Sequence, residues 1–187
     1  MAMPLHGALM TLEEYDALPE DSSARYELQE GVLVMSPRPN MTHQEVLVEL
    51  AYHLRRQLPR DWRCVADFEV VVRAEGPPIV RAPDIVVVPA DTSKKRAAAA
   101  DVRLAIEIIS PGTRNVDLVL KAYEYAEAGI PHYWVVDIEP PAPSITVFGL
   151  GAPGDGYRES QTATGELAVS EPFPLRIDID ALVDPEY

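Results

Sequence analysis

Two carboxylates stand where a carboxylate is expensive. Glu107 interrupts RLAIEIIS (103–110), an otherwise unbroken run of β-formers that reads as a strand buried on both faces, and Asp84 enters the apolar run PDIVVV directly after a proline. A buried ionised carboxylate without a partner costs several kcal/mol. The two acids lie on consecutive expected strands, which can each bring one carboxylate to a common point. Held close they repel and raise each other's pKa, unless a hard divalent cation such as Mg²⁺ or Mn²⁺ lies between them. Such an ion would supply the Lewis acid and the acidified water that phosphodiester hydrolysis needs. A lysine often completes a site of this kind by orienting water or stabilising developing charge. Lys121, one helical turn beyond Asp117 on the segment that follows the Glu107 strand, is the candidate. The same i, i+4 pair also reads as an ordinary exposed ion pair worth about 0.3–0.5 kcal/mol, and the spacing leaves both readings open.

The elements that must position these groups follow from periodicity. TLEEYDAL (11–18) predicts a short helix capped by Thr11, with Glu14 at capping-box spacing. YELQ and VLVM flank Glu30-Gly31, which predicts a hairpin. Thr42 and Glu45 form a second capping-box pattern opening a helix whose apolar residues Val46, Leu47, Leu50, Ala51, Leu54 and Leu58 share one face. Strands are expected at 64–72, 82–89 and 104–110, and DTSKKRAAAADV between the last two reads as a loop or an alanine-rich helical turn. A helix over 115–128 would direct Val116, Val119, Leu120, Tyr123 and Glu127 to one side, and Gly129 and Pro131 would stop it. HYWVVD (132–137) is a further buried strand, with Tyr133 and Trp134 as core, and the intervening helix is long enough for a parallel crossover. The remainder predicts short antiparallel strands, with IDIDALV as a final short helix. The expected architecture is an α/β fold, a mixed central sheet flanked by helices with an antiparallel C-terminal β extension, as one domain over residues 1–187.

Thirty acidic against 16 basic residues give a net charge of −14, which argues against broad, non-specific nucleic-acid binding. Local basic clusters remain, Arg55, Arg56, Arg60 and Arg63 near one helix end and Lys94, Lys95 and Arg96 in a loop; for each, a solvated surface is the simpler reading. The lone Cys64 excludes an internal disulfide and a cysteine-based zinc site, and it reads as a small core residue. No window approaches an apolar membrane span, and the N-terminal stretch lacks a basic region followed by an apolar core, so a cytoplasmic protein without membrane partners is expected.

Across TLEEYDALPED, RYELQEGVLVMSPRPNMTHQ, PDIVVV, IEIISPGTRNVDLVLKAYEYAEAGIPHYWVVD and PLRIDIDAL the chain resembles the Uma2 family, classed with the restriction endonucleases in the PD-(D/E)XK nuclease superfamily. The stretch from Glu107 to Asp137 is the most specific part. The resemblance implies a restriction-endonuclease-like fold, a Mg²⁺- or Mn²⁺-dependent endonuclease acting on DNA, and a homodimer. It implies that Asp84 and Glu107 are metal ligands, with the main-chain carbonyl of Ile108 as a third. The superfamily places lysine two residues after the glutamate, where this chain has Ile109; the following helix takes over that function, which favours Lys121 as catalytic and marks Asp117 as a recurrent position. It also makes Glu45 a candidate additional acid and His43 a candidate phosphate contact. From the residues alone, Glu45 reads as a capping glutamate and His43 as a surface residue. Glu69 either faces the same cleft or alternates outward. Ser110 belongs to no nucleophile elbow and no Ser-His-Asp arrangement. Two other functions compete: a catalytically inactive nuclease-fold module that binds nucleic acid or protein, and a two-carboxylate hydrolase acting on a sugar. The absence of an aromatic platform beside either acid argues against the latter.

Overall fold

The structure is a computed structural model. It describes residues 9–19, 25–35, 39–91, 95–109, 112, 114–139 and 141–184, and the backbone of residues 3, 4 and 36. Ser110 and Lys94 lie outside the described residues.

Strand β1 (Met3–Pro4) precedes helix α1 (Leu12–Asp16), which the Thr11–Glu14 capping box opens as expected. Strands β2 (Arg25–Gln29) and β3 (Val32–Ser36) form the expected hairpin. Its turn has positive φ at both Glu30 (49°) and Gly31 (79°), which the right-handed twist of paired strands favours. Helix α2 (Met41–Gln57) buries Val46, Leu47, Leu50 and Leu54. Its cap corrects the sequence reading: Asn40, not Thr42, accepts the His43 N–H at 2.9 Å.

The single strand expected at 64–72 is two strands, β4 (Trp62–Ala66) and β5 (Val70–Arg73), parted where Asp67 takes a φ of 49°. Strand β6 (Ile79–Arg81) follows, then β7 (Ile85–Pro89). The alanine-rich segment forms a short strand β8 (Ala97–Ala98) and a 3₁₀ turn, Ala99–Asp101. Strand β9 (Leu104–Ile109) runs parallel to β10 (His132–Asp137), as a crossover requires. A π turn (Val116–Lys121) leading into α3 (Ala122–Glu127) joins them. The C-terminal part holds β11 (Ser144–Leu150), β12 (Tyr157–Ala163), the hairpin β13 (Glu166–Val169) and β14 (Leu175–Asp178), and α4 (Asp180–Val183). The segment IDIDALV is thus strand first and helix only at its end.

The long strands divide into two mixed six-stranded sheets, β1-β3-β2-β6-β5-β8 and β12-β11-β10-β9-β7-β4. One face of the second sheet packs with α2, α4 and the β13–β14 hairpin around Ile85, Val87, Ile106, Ile108 and Trp134. The opposite face meets the first sheet and α3 around Val70, Val86, Ala105, Tyr125 and Tyr133. Cys64 is a buried thiol whose pKa burial pushes up to about 12, in keeping with an inert core role.

The crossover helix turns its apolar side outward. Val116, Val119 (67% exposed) and Tyr123 (65%) face outward, whereas Asp117 (2%), Lys121 (7%), Glu124 and Tyr125 are buried. The polar stripe can face inward because each of its charges meets an opposite charge there, while Tyr125 supplies apolar contact.

Candidate active site

Strands β7 and β9 are antiparallel neighbours with Ile85 opposite Ile106. Continuing that register by one residue sets Asp84 opposite Glu107. Both have the strand parity of the face that carries Val86 and Ala105, so the two acids point to the same side, toward the gap between the sheets. Asp84 is reached through the connector that carries the chain from β6 in one sheet to β7 in the other.

Both carboxylates are buried and engaged. Asp84 Oδ2 accepts the Ile108 N–H at 2.7 Å and lies 3.3 Å from His43 Nε2, and Asp84 Oδ1 lies 3.0 Å from Arg25 Nη1. Glu107 Oε1 lies 2.9 Å from Lys121 Nζ and accepts the Tyr125 hydroxyl at 2.8 Å. Lys121 Nζ is also 3.2 Å from Asp117 Oδ1. The sequence had left open whether Lys121 faces solvent; it faces Glu107. His43, read from the sequence as a surface residue, is buried against Asp84, because the Asn40 cap sets the first turn of α2 beside the β6–β7 connector.

A second buried group adjoins the first. The Arg81 guanidinium makes two 2.7 Å bonds to Glu124 and one of 3.0 Å to Glu27, and Glu27 Oε1 accepts the Ala82 N–H at 3.1 Å. Glu27 Oε1 is 3.9 Å from Lys121 Nζ, linking the two groups. Sequence reasoning missed Arg25, Glu27, Arg81, Glu124 and Tyr125. Asp117, Lys121 and Glu124 recur at helical spacing, and that polar stripe was the available signal; nothing local marks the strand residues.

The electrostatics follow from this packing. Burial raises Asp84, but the His43 hydrogen bond and Arg25 outweigh it and hold the carboxyl below the ordinary range. Burial pushes Glu107 up to about 8 against the pull of Lys121, with Asp84 and Asp117 adding to the rise. Burial would lower Lys121, yet Glu107, Glu27 and Asp117 raise it, so it stays a cation. Five buried carboxyl groups (Glu27, Asp84, Glu107, Asp117 and Glu124) thus face three cations (Arg25, Arg81 and Lys121), and at neutral pH Glu107 keeps its proton.

A carboxyl that keeps its proton until a cation displaces it, together with hard oxygen donors opposed on adjacent strands, fits a divalent cation in donor chemistry. Among the described residues no three acidic, histidine or cysteine side chains converge to hold a metal unaided. One or two carboxylates, retained waters and substrate phosphate oxygens are the donor set a Mg²⁺ ion commonly takes. Three residues weighed from the sequence stand elsewhere. Glu45 is exposed on α2. Glu69 accepts the Tyr15 hydroxyl at 2.8 Å and pairs with Arg96, which also pairs with Asp16. Ile109 is buried core.

The model of the Uma2 family, described as putative restriction endonuclease, matches residues 12–181. The chain belongs to the Uma2 family. A crystal structure from Anabaena variabilis ATCC 29413, described as a putative nuclease belonging to DUF820, superposes on this Uma2 chain with a TM-score of 0.69. The match has 20% sequence identity and covers 94% of this chain and 98% of that one, a likeness of fold. A comparison with curated proteins finds no match. Among the described residues no helix of the Uma2 chain is long and apolar enough to cross a membrane.

Proposed function

We propose that this chain, as one nuclease-like domain, is a Mg²⁺- or Mn²⁺-dependent endonuclease that hydrolyses phosphodiester bonds of DNA. The observation that carries the reading is the pairing of Asp84 and Glu107 on one face of adjacent strands, inside a buried cluster of five carboxyl groups and three cations. Asp84, Glu107 and the main-chain carbonyl of Ile108 would hold the ion. When bound, it would polarise a phosphoryl oxygen and lower the pKa of a water. Lys121 stays charged and stands 2.9 Å from Glu107, where it orients the attacking water and offsets charge growing on the phosphate. Tyr125 fixes the Glu107 side chain through its hydroxyl, and His43 does the same for Asp84. A cytoplasmic location and a homodimer that cuts both strands complete the reading. The outward Val116, Val119 and Tyr123 supply an apolar face for that dimer.

Supercoiled plasmid incubated with Mg²⁺ and with EDTA tests the assignment. Cleavage by the wild type in Mg²⁺ alone, with a loss of about 10²-fold or more in Glu107→Ala and Lys121→Ala, is expected by analogy with removal of one transition-state-stabilising group. Equal cleavage by Glu107→Ala would overturn it.

A second reading, an inactive binding module, draws on the internal engagement of both acids by Arg25 and Lys121. It predicts that Mg²⁺ leaves the plasmid intact in every variant.

A further inference from the structure

Arg25 opens β2 and is held from one side only. Its Nη1 is 3.0 Å from Asp84 Oδ1 and 3.2 Å from Asp67 Oδ1, while its Nε and Nη2 are buried and have no hydrogen-bond partner among the described residues. Those two nitrogens form one edge of the guanidinium, the edge that grips two oxygens of a single anion in parallel. A buried donor left without a partner is costly, and native structures rarely keep one without a use for it. Two on one side chain, aligned as a fork, is a stronger signal than either alone. The neighbouring His43 repeats the pattern, with Nε2 on Asp84 and Nδ1 buried without a partner among the described residues.

The other buried cations of the site have no such spare edge. Arg81 uses Nε, Nη1 and Nη2 on Glu124 and Glu27, and Lys121 is committed to Glu107 and Asp117. The net charge of −14 gives no long-range attraction for a polyanion, so short-range donors beside the acids must hold one. We propose that the free Nε–Nη2 edge of Arg25 is the phosphodiester clamp of this site, binding two non-bridging oxygens of the backbone phosphate next to Asp84. This rests on the nuclease reading above and adds the residue that seats its substrate. In this arrangement Nη1 stays on Asp84, so the bond that positions the carboxylate also positions the phosphate.

The test is fluorescence anisotropy of a labelled DNA duplex in Ca²⁺, over a range of salt, with wild type, Arg25→Lys and Arg25→Ala, beside calorimetric titration of Mn²⁺ into each protein without DNA. Arg25→Lys keeps the charge and loses the fork. It is expected to weaken duplex binding tenfold or more with an unchanged salt slope. Arg25→Ala is expected to lose affinity and about one unit of slope. Arg25→Lys, which keeps a cation beside Asp84, should still bind Mn²⁺. Duplex affinities equal to wild type in folded variants would make Arg25 a structural ion pair and overturn the clamp while leaving the nuclease reading standing. A wild type that binds neither Mn²⁺ nor duplex would overturn both. Should Arg25→Ala fail to fold, Arg25→Lys decides the matter.

Discussion

Glu107 carries the most informative pH dependence of any single residue. Its carboxyl titrates near 4.5 in an unfolded chain and is pushed by burial up to about 8 in the fold. The folded state therefore holds a proton that the unfolded state has released between those values. This stabilising contribution is full below the unfolded value and is lost as pH rises through the folded one. Urea unfolding of metal-free protein should show stability falling from pH 5 to 8.5, and the fall should be smaller by a few kcal/mol in Glu107→Gln, which has no proton to lose. Parallel curves for the two proteins would contradict the buried, proton-binding environment. Asp84 and Glu107 were legible in the sequence because each interrupts an apolar run, and burial makes such an interruption expensive. Arg25, Glu27 and Arg81 were not, because Arg25 and Glu27 sit in an ordinary hairpin strand and Arg81 in a short strand hidden between turns. Their partners arrive only when two sheets close on each other.

At the scale of elements, hydrogen-bond and charge partners decide two features. Periodicity grouped Val116, Val119, Leu120, Tyr123 and Glu127 on one side of the helix before β10; the fold turns Val116, Val119 and Tyr123 outward and buries Asp117, Lys121 and Glu124, each charge beside an opposite one. Removing one partner reveals that dependence. Arg81→Met leaves Glu124 buried without its cation and Glu27 with only the Ala82 N–H and Lys121 at 3.9 Å, and should cost about 3–5 kcal/mol in urea unfolding, whereas a loss under about 1 kcal/mol would mean the network is not closed as described. The cap of α2 offers a second comparison. Asn40→Ala should cost about 1 kcal/mol and Thr42→Ala within about 0.5 kcal/mol, because only Asn40 accepts the His43 N–H. Thr42 misled because its spacing to Glu45 satisfied the capping-box pattern, while the backbone had already entered the helix. The Thr11–Glu14 box and the Glu30-Gly31 turn were legible, as both are decided within four residues.

For the whole molecule, charge and shape set the terms of substrate binding. As the proposed nuclease, a chain of net charge −14 would have to admit DNA through short-range local donors. Duplex affinity should therefore fall steeply between 50 and 200 mM salt, as counterion release requires; a salt-independent affinity would point to a ligand other than a nucleic-acid backbone. The outward apolar face of the crossover helix predicts self-association, so Tyr123→Glu should shift a sedimentation profile from dimer to monomer while leaving thermal stability nearly unchanged. The α/β class and the parallel crossover were visible from pattern alone, and the family from resemblance over most of the chain. The division of the strands into two sheets was not, because the break at Asp67 depends on a positive φ that no local residue pattern announces. Everything functional in this account turns on Asp84 and Glu107 sharing one divalent ion. Calorimetric titration of Mn²⁺ at pH 8 measures that directly: one ion bound per wild-type chain, and binding weakened at least tenfold in both Asp84→Asn and Glu107→Gln, is the predicted result. Binding that is unchanged in either variant, or absent from the wild type, would contradict it.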